Sequence, residues 1–284
     1  MMSQSRTVAG STLDILIFED DRLRRLDSYQ RFEGFTGNSV APASTGGDKI
    51  FLLCMNAQRN RYDWADISSY SSLDKICCDL EKERRERPVM TGECRGRAGE
   101  EITIDGMTPL RSEVTIERLR RDFSGTPYER EGITEVKAYL TNVNASYPLS
   151  AKGYTDTSRL INAGMYNPHD AKAFKDPSMV MQEISRGIEF NEAKTEKSFI
   201  CYPNQNDRSR STRLVIEGKI GSETYYWPIE VGDGSVERNS IYKYDILIRR
   251  KGTTDPDRII DPVALDITLN IKPWTEKEEY QVGF

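Results

Sequence analysis

The residues that most often carry enzyme chemistry are scarce in this sequence. It contains one histidine, His169, within the turn-rich segment Tyr166-Asn-Pro-His-Asp170. Any Ser–His–Asp or Cys–His arrangement would need this histidine, and an exposed loop position is the simpler interpretation. The chain lacks a glycine-rich phosphate loop, a zinc-protease motif and a nucleophile elbow. These observations predict a protein that is not an enzyme.

Two acidic groups remain as candidates for the paired carboxylates of a glycosidase. The groups are Glu19, Asp20 and Asp21, and Asp255, Asp257 and Asp261. Both lie at predicted turns, where aspartate side chains accept hydrogen bonds from nearby backbone. The segment 232–237, Gly-Asp-Gly-Ser-Val-Glu, lacks the ligand spacing of a calcium-binding EF-hand loop. We therefore predict neither a metal site nor a cofactor.

The five cysteines favour free thiols over disulfides or a metal site. They are Cys54, Cys77, Cys78, Cys94 and Cys201. An odd number cannot pair fully within one chain, and the adjacent Cys77 and Cys78 lack the spacing of a CxxC pair. Cys54 and Cys201 stand in apolar runs, where cysteine behaves as a small buried hydrophobe.

An aromatic cluster, Tyr225-Tyr226-Trp227, is the candidate for ligand binding. Exposed aromatic rings on a β-sandwich could stack on sugar rings. In an alternating strand, however, at least one of the three normally packs in the core. Both interpretations stay open at the level of the sequence.

Composition indicates a globular chain without a charge-driven partner. The 284 residues include 40 basic and 45 acidic side chains, a net charge of −5, and the mean hydropathy is −0.63. A nucleic-acid-binding protein usually has a basic surplus, so we predict no nucleic-acid partner. No run approaches the ~18 apolar residues of a membrane helix, and Met1–Arg6 has no apolar signal-peptide core. This start fits either a cytosolic protein or a mature form.

Short alternating segments predict an all-β fold. Apolar residues recur at every second position, with glycine, proline and aspartate turns between the segments. The predicted strands are 12–19, 49–56, 113–123, 134–144, 198–202, 212–220, 224–231, 240–249, 263–271 and 279–284. Segments of this kind at such spacing are typical of sandwiches or barrels.

Two segments carry helical periodicity, and one segment resembles a linker. Apolar residues at helical spacing predict a helix over Ser71–Arg87, and a weaker pattern predicts another over Pro177–Gly187. The polar segment Ser124–Gly132 contains glycine and proline between two strands. It predicts two domains, at residues 1–124 and 131–284.

An ordered series of segments resembles FimA-type fimbrillins, the type V pilus subunits of gut and oral Gram-negative anaerobes. The series begins with Leu13–Asp21 and Leu26–Tyr29, continues through Ala138–Ala145 and Phe199–Asn204, and is strongest toward the C-terminus. The C-terminal segments are Thr212–Gly218, Tyr225–Ile229, Arg238 to Tyr242, Gly252 with Asp255–Asp257, and Ile271–Trp274.

The resemblance implies two tandem transthyretin-like Greek-key β-sandwich domains with one or two short helices. It also implies an exported lipoprotein of the outer membrane, whose N-terminal strand is removed by an arginine-specific protease. Such subunits polymerise with other fimbrial subunits by donor-strand exchange and contribute to adhesion to host or bacterial surfaces. A lipid tether would then lie outside this sequence.

Two positions follow from the resemblance. Arg6 is the processing candidate, because it is the only arginine ahead of the first strand. The C-terminal segment alternates Tyr280, Val282 and Phe284, which suits either a self-inserted last strand or a donor strand. The alternative function is a surface lipoprotein that binds glycans through Tyr225, Tyr226 and Trp227.

Overall fold

The computed structural model describes residues 11–36, 39–58, 67–150, 159–189, 197–205, 210–258, 264–274 and 279–282. Strands dominate these ranges, with one α-helix, α1 (Pro168–Ala173), and three 3₁₀ turns, Tyr70–Lys75, Leu80–Lys82 and Pro177–Met179. The strands are β1 (Ser11–Glu19), β2 (Leu26–Phe35), β3 (Ser39–Val40), β4 (Asp48–Met55), β5 (Cys77–Asp79), β6 (Met90–Arg97), β7 (Ile102–Asp105), β8 (Thr108–Pro109), β9 (Ser112–Arg121), β10 (Ile133–Thr141), β11 (Val143–Asn144), β12 (Ser146–Pro148), β13 (Leu160–Ile161), β14 (Met181–Ile188), β15 (Lys197–Cys201), β16 (Arg213–Ile220), β17 (Glu223–Glu230), β18 (Ser240–Ile248), β19 (Leu265–Pro273) and β20 (Glu279–Val282). No helix among the described residues is long and apolar enough to cross a membrane.

The chain forms two compact units that do not follow its linear order. The first unit comprises Met1–Leu110, Ser146–Tyr154 and Thr275–Phe284, and the second comprises Arg111–Ala145 and Thr155–Trp274. The chain therefore returns to the first unit twice after entering the second. The last of these returns brings β20 to the first unit.

The second unit is a sandwich of two four-stranded sheets, in the orders β14-β10-β16-β17 and β15-β9-β18-β19. The eight strands of these sheets can be numbered one to eight in chain order, as β9, β10 and β14 to β19. The sheet orders are then 3-2-5-6 and 4-1-7-8, respectively. β9 and β18 pair in parallel, whereas the other neighbours are antiparallel. This is the transthyretin-like arrangement that the resemblance implied.

The first unit pairs a five-stranded sheet, β2-β1-β4-β6-β8, with a three-stranded sheet, β3-β20-β7. β1 and β4 contribute alternate buried residues, among them Ile15 and Phe51, to a core cluster. That cluster also contains Ile102 and Ile104 of β7, so the two sheets face each other across it. Alternation along β1 and β4 supplies the apolar face that this packing requires.

Several sequence-based predictions are confirmed, and the all-β class is among them. Ten of the predicted strands correspond to strands of the structure, usually within two residues at each described end. Cys54 and Cys201 are buried, as their apolar runs predicted, and Cys78 is buried as well. The strands that the sequence analysis missed are mainly β2, β6, β7 and β14.

Both helix predictions are wrong. The segment 71–87 forms 3₁₀ turns on either side of β5, and β5 pairs with β12. The segment 177–187 forms one 3₁₀ turn followed by β14, an edge strand that pairs with β10. In both segments strand pairing with residues distant in sequence prevails over local periodicity.

The predicted linker Ser124–Gly132 lies within the second unit. Tyr128 packs edge-to-face on Phe123 with ring centroids 5.1 Å apart, and Arg121 donates a 3.0 Å hydrogen bond to the Glu129 carbonyl. The compact units divide instead between Leu110 and Arg111, immediately before β9. Whether 1–124 and 131–284 fold as separate domains stays a prediction.

Candidate assembly site in the first unit

The C-terminal strand β20 occupies the centre of the three-stranded sheet. It runs antiparallel to β7 over four residue pairs, from Glu279 opposite Asp105 to Val282 opposite Ile102. On its other side it runs parallel to β3, with Gln281 opposite Ser39. Among the described strands β20 is the only ladder partner of β3 and of β7. A strand from the end of the chain thus completes a sheet built near its beginning.

The strands on either side of β20 present apolar residues to the core of the first unit. Ile102 and Ile104 of β7 are 7% and 1% exposed and belong to the core cluster, against which Val40 of β3 packs. Without β20, the backbone groups of β3 and β7 that face it would lose their ladder partners. Buried unpaired backbone groups are costly, so this gap requires a strand.

Two of the three residues predicted for the terminal strand, Tyr280 and Val282, lie in β20. Tyr280 pairs with Ile104, and Val282 pairs with both Ile102 and Val40. Phe284 lies outside the described residues. Both residues therefore stand opposite core residues of β7, and Val282 also stands opposite the partly buried Val40 of β3. Whether this strand is exchanged between chains stays a prediction.

The processing candidate Arg6 lies outside the described residues. A different group of arginines, Arg22, Arg24 and Arg25, occupies the turn between β1 and β2. Arg22 and Arg25 are exposed, and the neighbouring Leu23 is 63% exposed. Cleavage in this turn would break the covalent link between β1 and β2, and β1 would then be held in the sheet only by its pairing with β2 and β4.

The aromatic cluster of β17 is divided between the two faces of its strand. Trp227 is fully buried, and its indole N–H donates a 3.0 Å hydrogen bond to the Arg250 carbonyl. Tyr225 is 7% exposed, and Lys251 lies 5.1 Å from its ring centroid. Tyr226 alone points to the opposite face, where it is half-buried. The three rings do not form one stacking surface.

Among the described acidic candidates, Asp21 and Asp255 accept hydrogen bonds within turns, whereas Glu19, Asp20 and Asp257 form ion pairs. Asp21 accepts hydrogen bonds from the backbone N–H groups of Leu23 and Arg24, at 2.9 and 2.7 Å. Asp255 accepts one from the N–H of Asp257, and Asp257 forms an ion pair with Arg213. Asp261 lies outside the described residues. The described part of the chain contains no group of three or more His, Cys, Asp or Glu side chains placed to hold a metal ion.

His169 is exposed, but it lies in α1 rather than in a loop. Its backbone N–H donates a 3.0 Å hydrogen bond to the side chain of the helix-capping Asn167. This cap and Pro168 at the first helical position start the helix. The signal for α1 was therefore present in the sequence as Asn-Pro-His-Asp, although the helix is only six residues long.

A depression of about 720 Å³ lies on the outer face of the β14-β10-β16-β17 sheet. Four of its charged side chains form two ion pairs, Lys137 with Glu217 at 2.9 Å and Lys219 with Glu135 at 2.7 Å. Such pairs neutralise each other on a half-exposed surface.

Comparison with solved structures identifies the fold. A fimbrilin, FimA, from Porphyromonas gingivalis superposes with a TM-score of 0.64 at 14% identity, covering 96% of this chain and 93% of that one. A provisionally named cell adhesion protein from Bacteroides eggerthii gives a TM-score of 0.69 at 14% identity, covering 97% and 91%. A fimbrial assembly protein from Parabacteroides distasonis gives 0.52 at 11% identity, covering 100% and 95%.

No protein-family model matches the sequence, and no curated protein matches it. The evidence for relationship is therefore structural. It confirms the resemblance to fimbrillins at the level of the fold, over nearly the whole of both chains.

Proposed function

We propose that this protein is a non-enzymatic structural subunit of a cell-surface fimbria, joined to other fimbrial subunits by exchange of its C-terminal strand. The observation that carries the proposal is that β20 alone completes the ladder between β3 and β7 among the described strands. The fold is that of the P. gingivalis fimbrilin and of a fimbrial assembly protein, which supports the same assignment. The proposal includes a role in adhesion, which the similarity to the B. eggerthii protein supports.

The contacts of β20 suit a strand that can be exchanged. Its hydrogen bonds come from the main chain, which any strand of the same length can supply. Its specificity comes from alternate residues, of which Tyr280 and Val282 stand opposite Ile104 and Ile102. The same strand from a neighbouring subunit would therefore fill the same position, and it would link the two chains head to tail.

The strand is also short. Four residue pairs with β7 and two with β3 join it to the sheet. A two-sided strand of this length gains main-chain hydrogen bonds on both edges. Release of β20 would therefore open one strand position and leave the five-stranded sheet β2-β1-β4-β6-β8 intact.

The test is complementation of a truncated chain. A variant ending at Trp274 lacks β20, and a synthetic peptide of residues 275–284 is added to it. We expect the peptide to bind this variant and not the full chain, as measured by fluorescence anisotropy. We also expect it to restore the hydrogen-exchange protection of 102–105. The control peptide carries Tyr280→Asp and Val282→Asp, and it should fail on both readouts.

Two outcomes would contradict the proposal. One is that residues 102–105 keep their protection in the truncated chain without peptide. The other is that the control peptide binds as well as the native peptide. Protection of β9 and β18 in the second unit, measured in the same experiment, shows that the truncated chain is folded.

A further inference from the structure

The edge strand β19 of the second unit is long and open. Its nine residues pair with β18 on one side, and the described residues provide no strand on the other. Eight of the nine residues are half-buried or exposed, and Ile267 and Ile271 are 42% and 55% exposed. Long apolar edges of this kind are ready templates for another strand, and natural proteins usually shorten or block them.

The two exposed isoleucines lie on the inner face of the sheet, which is buried on the neighbouring strand β18. Strand register places Ile267 beside Ile246 and Ile271 beside Tyr242 of β18. Both of those neighbours are almost completely buried. Leu269, between the two isoleucines, stands beside the buried Tyr244 and is itself half-buried. The inner apolar face thus continues onto β19 without the cover that β18 receives.

The hydrogen bonds at the two ends of β19 show which backbone groups are available. Arg249 N–H donates to the Ala264 carbonyl at 2.9 Å, and Trp274 N–H donates to the Asn239 carbonyl at 2.9 Å. Residues 264 and 274 therefore direct their backbone groups toward β18. Because these groups alternate along a strand, the odd-numbered residues, Leu265 to Ile271, direct theirs toward the open edge. Pro273, which has no N–H, stands at the end of this row.

The sequence of β19 is complementary to itself in one antiparallel register. A two-fold axis at Leu269, the midpoint of the strand, pairs Asp266 with Lys272 of a second copy, twice. The same register pairs Ile267 with Ile271, also twice. The odd-numbered pairs would then be hydrogen-bonded, and the charged pairs would take the closer, non-hydrogen-bonded positions. Asp266 already contacts Arg249 at 2.5 Å, and Lys272 is exposed.

We propose that β19 is a self-association edge, through which two copies of this chain pair antiparallel and join their four-stranded sheets into one sheet of eight. The contact is isologous, so it closes at a dimer. It is separate from strand exchange at β20, which links chains head to tail and does not close. A fibre built through β20 would thereby gain a lateral contact.

The first test measures the register by cross-linking. Leu269→Cys should form an intermolecular disulfide, because hydrogen-bonded antiparallel partners lie ~5.5 Å apart at Cα, within the range of a disulfide. Ile267→Cys should not cross-link to itself, since its copies would be roughly 13 Å apart along the ladder. A mixture of Ile267→Cys and Ile271→Cys chains should cross-link. The wild-type chain, with its five native cysteines, is oxidised in parallel.

The second test measures association by analytical ultracentrifugation over a wide range of protein concentration. We expect the wild-type mass to rise toward twice the chain mass of 32.4 kDa. Ile267→Lys combined with Ile271→Lys should stay monomeric, whereas Met165→Lys, at an equally exposed apolar position (57%), should not change association. All variants are checked for unchanged hydrogen-exchange protection of β9 and β18.

A charge swap makes the test specific for this register. Asp266→Lys alone and Lys272→Asp alone place like charges opposite each other twice, and each should raise the dimer Kd on the order of tenfold. The double variant restores opposite charges and should return the Kd close to that of the wild type.

The proposal fails if the wild-type chain stays monomeric at every concentration. It also fails if all three cysteine variants cross-link equally, or if the double swap associates no better than the single variants. The chain truncated after Trp274 serves as a further check. It should dimerise like the full chain, and a loss of association in that variant would assign the contact to β20 instead.

Discussion

The two units of this protein complete their sheets in different ways. All eight long strands of the second unit come from residues 112–273, and they form two four-stranded sheets. In the first unit the five-stranded sheet is built from β1 to β8, but the opposite sheet depends on four residues from the end of the chain. The comparison indicates that the second unit is self-sufficient, whereas the first has one position that another chain can fill.

Both units bury charged and aromatic side chains, and each offers one whose removal can be tested. The first buries Lys49, whose ammonium lies 2.7 Å from Glu19 and 3.3 Å from Asp27. The second buries large aromatic side chains, with Trp227 and Tyr202 fully inside. Buried charges are sensitive to the loss of a partner, whereas buried rings contribute through area and packing. Each unit therefore has a substitution that should destabilise it selectively.

Two substitutions share the largest expected effect, and the first is Lys49→Ala in the first unit. The change removes the cation between Glu19 and Asp27, so it leaves two carboxylates close together without their partner. Breaking a buried ion pair in this way costs about 3–5 kcal/mol of unfolding free energy. Denaturant unfolding monitored by hydrogen exchange measures the loss strand by strand.

The matched control for this change is Lys82→Ala, which removes a lysine that is 49% exposed and pairs with Asp79 at 3.1 Å. An exposed pair contributes about 0–1 kcal/mol. We expect Lys49→Ala to reduce protection in β1 and β4 and to spare β9 and β18. Equal loss in both sets of strands would show that the two units unfold as one.

Trp227→Ala is the corresponding change in the second unit. It removes a fully buried ring and leaves the Arg250 carbonyl without the indole N–H. Deletion of a buried tryptophan side chain costs about 3–5 kcal/mol. The expected loss is in β16 to β18, with β1 and β4 unaffected, and unfolding followed by hydrogen exchange provides the measurement. Tyr226→Ala, at the half-buried position between the two inward rings, is the control and should cost less.

The sequence was sufficient for strands with one buried face and for one strand that is buried on both faces. β9 and β18 alternate buried and half-buried or exposed residues, and β4 is a continuous apolar run. These strands were predicted to within two residues. β2 was missed because its ten residues are all half-buried or exposed, and they include Arg31 and Glu33, which pair with each other. A strand without a buried face carries little period-two signal.

Long-range pairing explains the remaining errors. Residues 71–87 do carry apolar residues at helical spacing, but residues 77–79 pair with residues 146–148 of β12, which are far along the chain. The division of the chain into units was equally hidden, because β9 joins the second unit through parallel pairing with β18, from Glu113 with Ile241 onward. For the candidate site, the alternation of Tyr280 and Val282 predicted a terminal strand. It could not show that β3 and β7 lie on either side.

The acid sensitivity of the first unit should depend on Asp27. Burial raises the pKa of this carboxyl, but hydrogen bonds from Thr45 and the charge of Lys49 outweigh that effect and hold the pKa below 3.8. A lowered pKa in the folded state means that the carboxylate stabilises the fold above the unfolded pKa. This contribution is lost as the pH falls through the lowered value.

The expected result is that the wild type exceeds Asp27→Asn in unfolding free energy by a constant amount above pH 5. The difference should shrink as the pH falls below about 4. Equilibrium unfolding in denaturant at a series of pH values measures it. A difference that stays constant down to the lowest pH would show that the hydrogen bonds of Asp27 do not depend on its charge.

Thiol labelling compares the stability of the two units in the wild-type chain, because it requires no substitution. Cys54 lies in β4 of the first unit and Cys201 in β15 of the second, and both are buried. Burial raises the pKa of Cys201 to about 12, so its reactive thiolate is nearly absent at pH 8. Both thiols should therefore be unreactive toward maleimide in the native protein.

As denaturant is added, mass spectrometry of a maleimide-treated sample reports which thiol becomes accessible first. We expect Cys54 to precede Cys201, because the sheet opposite β4 depends on β20, whereas both sheets of the second unit use only their own strands. Labelling of Cys201 first would show that the second unit opens before the first. That result would contradict the argument that the first unit is the one suited to strand exchange.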